Sequence, residues 1–155
     1  MDTTKPFIGL VLAMPPRYSE TFLASKIQGL RDDGFDVAVF VGAGTAEPGI
    51  YPGLGITKSA PVRSMILLGW AWSMLLLRRP GRVWRFIATE RALGRRPARI
   101  AHLMAAHYPV LMHARPGWLH FGFAALAVEG ESLASAVGAR MGVSLRGYDI
   151  AMYPL

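Results

Sequence analysis

Two short, almost wholly apolar runs near the N-terminus constrain the fold of this chain more than any other feature. The first spans Phe7 to Ala13 and is followed by a proline pair, and the second spans Val37 to Val41. Neither run alternates between apolar and polar residues, as a half-buried strand would. Each therefore predicts a strand covered on both faces, as in a parallel sheet.

The segment between the two runs has the pattern of a helix. Ser19 can cap its start, Gly34 can end it, and Leu23, Ile27 and Leu30 form one apolar stripe. Strand, helix and strand within about thirty-five residues make a βαβ unit, whose crossover is right-handed in nearly all proteins.

The remaining pattern extends this unit into one α/β domain. A chain of 155 residues suits a single core better than two. We predict a Rossmann-like parallel sheet of at least four strands with helices on both faces. Further strands are predicted near residues 55–58, 118–121 and 143–145, and further helices near 62–79, 82–95, 97–112 and 124–140.

Composition excludes several kinds of chemistry. The chain has no cysteine, so it has no disulfide, no thiolate metal site and no cysteine nucleophile. Its N-terminus lacks the layout of a signal peptide, and we expect a cytoplasmic protein. The four histidines lack metal-ligand spacing, so structural or solvated roles are expected for them and no metal is expected.

Arginines crowd the segment from Arg63 to Arg115, where Glu90 is the only carboxylate, and the net charge of the chain is +7. A positive field of this kind suits nucleic acid, an anionic membrane surface or phosphate-bearing substrates. Nucleic acid is the weakest of the three, because long apolar runs separate the basic residues and no nucleic-acid motif is present. We expect no nucleic-acid partner.

Residues 64–77 form an uncharged stretch that is too short to span a bilayer, which takes about twenty residues. It is either a buried helix or an element lying on a membrane surface, where tryptophan and arginine suit the headgroup zone. The second alternative predicts a peripheral contact with the inner face of the cell membrane. Its contact residues would be Trp70, Trp72, Arg78, Arg79, Arg82, Trp84 and Arg85.

Ligands of open α/β sheets bind beyond the carboxyl ends of the strands. Three segments follow predicted strands in this way: residues 15–22, 120–122 and 146–150. The predicted substrate-binding residues are Ser19, Glu20, Thr21, His120, Gly122, Arg146, Gly147 and Asp149.

The alternatives to these roles are structural: a helix cap at residues 19–21, a packed strand-end histidine at His120, and a surface turn in which Asp149 caps the next element. Arg146 stays protonated, so it can donate hydrogen bonds but cannot act as an acid or base.

These segments, in this order, resemble the N-terminal domain of family-four retaining glycosyltransferases, particularly those that build exopolysaccharide and capsule. The resemblance covers nearly the whole chain. Its motifs are a proline-rich turn into Ser-Glu-Thr-Phe, Gly34-Phe35-Asp36-Val37 before the second strand, a His-Phe-Gly segment, and a final turn Arg146-Gly147-Tyr148-Asp149. Many relatives carry a histidine where this chain has Arg146.

The resemblance implies the acceptor-side domain of a two-domain GT-B enzyme, which moves a sugar from a nucleotide sugar to a lipid-linked or polysaccharide acceptor. The donor is a substrate, and no cofactor is implied. Residues 1–155 would be this domain in truncated form, without the donor-binding domain. We therefore expect the chain alone to be inactive. The alternative is a non-catalytic basic α/β module that binds an anionic membrane surface.

Overall fold

The first apolar run forms the central strand of a parallel sheet. The computed structural model describes residues 5–13, 21–41, 56–58, 65–115 and 117–145. Within these ranges five strands pair in the order β3-β2-β1-β4-β5, and every neighbouring pair is parallel. The strands are β1 (Phe7–Leu12), β2 (Asp36–Val41), β3 (Ile56–Lys58), β4 (Trp118–Phe121) and β5 (Arg140–Val143). The predicted Rossmann-like α/β fold is confirmed.

The helices agree with the predicted segments but are shorter. In the described ranges they are α1 (Thr21–Asp32), α2 (Met65–Arg78), α3 (Pro80–Ala92), α4 (Pro97–Ala106), α5 (Tyr108–His113), α6 (Ala124–Glu129) and α7 (Glu131–Val137). The single helix predicted at 97–112 is wrong, because the chain turns at His107 and Pro109 opens a new helix. The single helix predicted at 124–140 is also wrong, because Gly130 separates α6 from α7.

The prediction of the last strand was wrong by several residues. Gly138 adopts a left-handed conformation, with φ of 73°, and ends α7. The chain then pairs at once, with the Arg140 amide donating to the Gly117 carbonyl at 2.7 Å. The strand therefore covers Arg140–Val143 and not 143–145. Arg140 is exposed on this strand, so the strand lacks the wholly apolar run by which β1 and β2 could be predicted.

Successive residues of β1 serve two separate cores. Phe7 and Val11 point into a large cluster built with helices α2–α7, which we call the helical layer. Leu10 and Leu12 point the other way and pack against Leu23 and Ile27 of α1. Helices therefore lie on both faces of the sheet, as predicted.

A carboxylate lies inside the helical layer. Glu90 of α3 is fully buried, accepts a hydrogen bond from the buried Ser132 hydroxyl of α7, and lies 2.9 Å from Arg95 Nε. A buried carboxylate is unfavourable without partners, so both contacts stabilise Glu90, and the bond from Ser132 fixes α3 relative to α7.

The described part of the chain contains no helix with the length and hydropathy that a membrane span requires.

Candidate functional site at the carboxyl edge of the sheet

The predicted ligand-binding segments leave the sheet from three adjacent strands. Strand β1 pairs with β4, and β4 pairs with β5, all in parallel, so Ala13, Phe121 and Leu145 lie at one edge of the sheet. This edge contains the topological switch point, because α1 follows β1 on one face of the sheet and α6 follows β4 on the other.

Only part of the predicted site lies on described residues. Ser19, Glu20, Arg146, Gly147 and Asp149 lie outside the described ranges, and their predicted roles stay predictions. Thr21 is the first residue of α1. His120 and Gly122 are described in full.

His120 belongs to a polar cluster on the α1 side of β4. Its Nε2 atom lies 3.1 Å from Lys26 Nζ of α1 and 2.8 Å from Ser144 Oγ, just after β5. Burial, and then the neighbouring Lys26, lower the pKa of His120 below its ordinary value of 6.5. The imidazole is therefore neutral at pH 7 and accepts a hydrogen bond from the lysine ammonium at Nε2, which leaves the ring proton on Nδ1.

The pairing of Ser144 with His120 is unlike that of a nucleophile and its general base. A catalytic histidine takes the proton of the nucleophile at one nitrogen while a carboxylate orients the other nitrogen. Here the Lys26 ammonium contacts the nitrogen that would act as the base, and it makes that nitrogen less basic. The Nδ1 atom instead faces Gly142, where an added Cβ would lie 3.1 Å away. The three side chains can bind an anion or hydroxyl groups, because they present an ammonium, a hydroxyl and a neutral imidazole together.

Gly122 has a packing role at this edge. A Cβ at this position would lie 2.7 Å from Leu12 Cδ2, and the Gly122 amide donates to the Val11 carbonyl at 3.0 Å. The absence of a side chain lets the end of β4 lie close against the end of β1.

Sequence reasoning missed Lys26 and Ser144. Lys26 adjoins Ile27 of the apolar stripe of α1, and Ser144 was included in the misplaced last strand. The missing information was the strand order, because only the pairing of β1 with β4 and of β4 with β5 brings α1, His120 and Ser144 together.

The predicted membrane segment carries an exposed apolar surface on α2 and α3. Ile66, Trp70 and Leu77 share one face of α2 and are 84%, 50% and 75% exposed, and Trp84 of α3 is 73% exposed. Ala71 and Leu75 are buried on the opposite side. Helix α2 is therefore a surface helix with one buried face, and not a fully buried one.

The structure divides the predicted contact residues into two groups. Arg78 and Arg79 are exposed, as are Trp70 and Trp84. Trp70 also packs against Tyr108, with the ring centroids 5.5 Å apart. Three others, including the exposed Arg85, form hydrogen bonds within the protein. Trp72 Nε1 donates to the Ala101 carbonyl at 3.3 Å, Arg82 Nη1 donates to the Leu111 carbonyl at 2.9 Å, and Arg85 donates to the Ala136 carbonyl at 3.1 Å from Nε and 2.8 Å from Nη2.

Comparison with known proteins leaves the family open. No family model, curated protein or solved structure matches the chain.

Proposed function

We propose that this chain is the acceptor-side domain of a glycosyltransferase that uses a nucleotide sugar. The observation that carries the proposal is the parallel pairing of β1, β4 and β5, since the motif-bearing segments follow these strands in sequence and the carboxyl ends of the three strands meet at one edge beside the switch point. Parallel α/β sheets bind their ligands at such an edge. The resemblance of those segments to family-four enzymes supplies the reaction, and the fold alone does not.

The cluster of Lys26, His120 and Ser144 gives this proposal a chemical basis. A sugar or lipid-phosphate acceptor presents hydroxyls and negative charge, which an ammonium and a serine hydroxyl can bind. Because the pKa of His120 is lowered, its role is to accept or donate a hydrogen bond and orient the acceptor. We do not assign it proton transfer, since Lys26 opposes its protonation.

The test begins with the gene beyond codon 155. A further domain of about 200 residues with paired glutamates would agree with the proposal, and a natural stop codon would contradict it. Sugar transfer by the encoded protein would then be compared with that of Lys26→Ala and Ser144→Ala, with His102→Ala as the control, because His102 is an exposed histidine of α4, on the other face of the sheet from the cluster. We expect transfer to fall in the first two variants and to be retained in the third.

A second candidate function is binding to an anionic membrane surface, which would also suit an enzyme with a lipid-linked acceptor. It rests on exposed tryptophan and aliphatic side chains on α2 and α3, next to the exposed Arg78 and Arg79. Large apolar side chains exposed close together on a protein surface can mark an interaction site. Basic residues near anionic lipid contribute about 1 kcal/mol each, and salt screens that attraction.

Liposome co-sedimentation tests this candidate. We expect binding to anionic vesicles that weakens with salt, is lost in Leu77→Ala/Trp84→Ala, and is reduced in Arg78→Gln/Arg79→Gln. The control is Trp118→Ala, which removes an exposed tryptophan from β4. Arg82 and Arg85 are unsuitable for this test, because their substitution would leave the Leu111 and Ala136 carbonyls without these donors. Equal partitioning of all variants would eliminate the membrane role.

A further inference from the structure

A cavity opens at the same edge of the sheet, on the side of the helical layer. Val11 of β1 and Phe40 of β2, which belong to the helical-layer cluster, form its floor, and Leu126 of α6 closes one side. The junction between α4 and α5 supplies the remaining wall, including His107 and Val110. The cavity therefore lies on the opposite face of the sheet from the Lys26, His120 and Ser144 cluster, at the edge where α/β folds bind ligands.

The described lining of the cavity is apolar except for His107. The Nε2 atom of this histidine is buried and has no hydrogen-bond partner within the described part of the chain. Elsewhere in that part, the other buried side-chain atom of this kind, Glu90 Oε2, faces the Arg95 guanidinium at 2.9 Å. His107 Nε2 has no such charged neighbour. A buried polar atom without a hydrogen-bond partner is unfavourable unless a ligand or a water molecule supplies one.

The position of the His107 ring is set by the backbone. His107 ends α4, with its amide donating to the Leu103 carbonyl, and its own carbonyl accepts from the Leu111 amide of α5. Burial, with smaller contributions from Arg99, Arg95 and His102, lowers the pKa of His107 to about 4. At neutral pH the ring is uncharged, so it suits a neutral polar group better than an anion.

The size of the cavity limits what can enter. Its volume is about 50 Å³. An apolar cavity of about 150 Å³ holds the six carbons of a benzene ring, so this one has room for about two non-hydrogen atoms. The methyl carbon and the carbonyl oxygen of an acyl group would fill that space, with the rest of the group at the mouth, and they combine an apolar part for the apolar lining with one oxygen that the His107 ring can bind.

We propose that this cavity binds a short acyl group, of the kind that an N-acetylated sugar carries, with the methyl against the aliphatic wall and the carbonyl oxygen accepting from His107 Nε2–H. That the acyl group belongs to the sugar acceptor rests on the proposed function. Binding of the acyl group itself does not.

The experiment titrates the protein, labelled with ¹³C and ¹⁵N in histidine, with N-acetylglucosamine or with glucose and follows the His107 ring by NMR. We expect saturable shifts of the His107 resonances with N-acetylglucosamine, and binding of glucose weaker by about tenfold or more, since the acyl contact is absent. Shifts of the same size with both sugars, or with neither, would overturn the proposal. The second result would assign Nε2 to a buried water.

Two variants locate the binding. Ala106 lines the cavity and Ala125 of α6 is exposed, so Ala106→Val reduces the space while Ala125→Val is its matched control. We expect Ala106→Val and His107→Phe to weaken N-acetylglucosamine binding about tenfold and Ala125→Val to leave it unchanged. Unchanged binding in Ala106→Val would contradict the assignment, and the wild-type comparison of the two sugars decides the question even if a variant fails to fold. Sugar transfer without acyl binding would refute this proposal alone.

Discussion

On one face of the sheet, helix α1 covers only β1 and β2, through Leu23 and Ile27. The neighbouring surface of β4 and β5 on that face, which we call the open flank, carries His120 and Gly142 together with the exposed Trp118 and Arg140. On the other face, the helical layer buries Phe121 and Leu119 of the same strand β4 completely. Alternate residues of one short strand therefore experience an apolar interior and a polar surface.

This difference indicates how the two faces divide their tasks. The helical layer holds the large core cluster and the buried Glu90, so it should carry most of the folding free energy. On the open flank, His120 contacts Lys26 of α1 and Ser144 through partly exposed polar contacts, which should contribute little to stability. Four predictions test this division.

The largest effect is expected from neighbouring substitutions on β4. Phe121→Ala should lower the free energy of unfolding by about 3–5 kcal/mol, because it leaves a cavity in the helical layer. His120→Ala should lower it by less than about 1 kcal/mol, because it removes only part-exposed hydrogen bonds. Urea unfolding of both variants measures the difference. Equal losses of unfolding free energy would mean that His120 is packed as tightly as Phe121.

The next effect concerns the carboxylate inside the helical layer. Glu90→Ala should cost about 3 kcal/mol, since it removes the partner of Arg95 and of the buried Ser132. Glu129→Ala is the matched control, because its bridge to Arg99 is exposed on both sides and is worth less than about 1 kcal/mol. The check is thermal and urea unfolding of both variants. Similar losses of unfolding free energy would show that the contacts of Glu90 do not stabilise the core.

A pH dependence distinguishes His107 from the surface histidines. Its pKa is about 4 in the folded protein and 6.5 when unfolded, so on acidification the unfolded chain takes up the proton first. The contribution of His107 is fully present above pH 6.5 and declines between pH 6.5 and 4, by about 2–3 kcal/mol in total. Urea unfolding of the wild type and His107→Gln at pH 7 and pH 4.5 would reveal this loss. Parallel pH profiles for the two proteins would exclude it.

The smallest expected effect compares two glycines. A Cβ at Gly130 would lie 2.4 Å from Cε1 of the buried Phe121 ring, so Gly130→Ala should cost about 1–3 kcal/mol. A Cβ at Gly142 would lie 3.1 Å from His120 Nδ1 on the open flank, where the ring can shift by a few tenths of an ångström. Gly142→Ala should therefore cost less than about 1 kcal/mol while changing the NMR resonances of His120. A larger loss of stability in Gly142→Ala than in Gly130→Ala would contradict the proposed difference between the two faces.

The sequence was most informative for strands that are covered on both faces of the sheet. The runs Phe7–Ala13 and Val37–Val41 predicted parallel strands buried on both faces, and both strands have a neighbour on each side in the sheet. Strand β5 was misplaced because Arg140 and Gly142 face the open flank, so the strand has no continuous apolar run. The helix breaks at His107 and Gly130 were missed because the apolar pattern continues across both of them.

The candidate site was less predictable than the fold, for a different reason. His120 was singled out as the polar residue at the end of a predicted strand, which is a local signal. Lys26, Ser144 and the unpaired Nε2 of His107 become informative only when separate segments meet. All four arginines, Arg78, Arg79, Arg82 and Arg85, were predicted to contact the membrane. Composition does not show which guanidinium groups bind the protein itself and which point into solvent.

The inward guanidiniums of Arg82 and Arg85 have a mechanical consequence for α3. One is bound to the end of α5 and the other, through two donors, to a carbonyl near the end of α7, so they resist any rolling of α3 about its axis. Trp84 lies between them in sequence, so it points away from the domain in a fixed direction around the axis of α3. A bilayer or any other flat partner that engages Trp84 would therefore always meet the same face of α3.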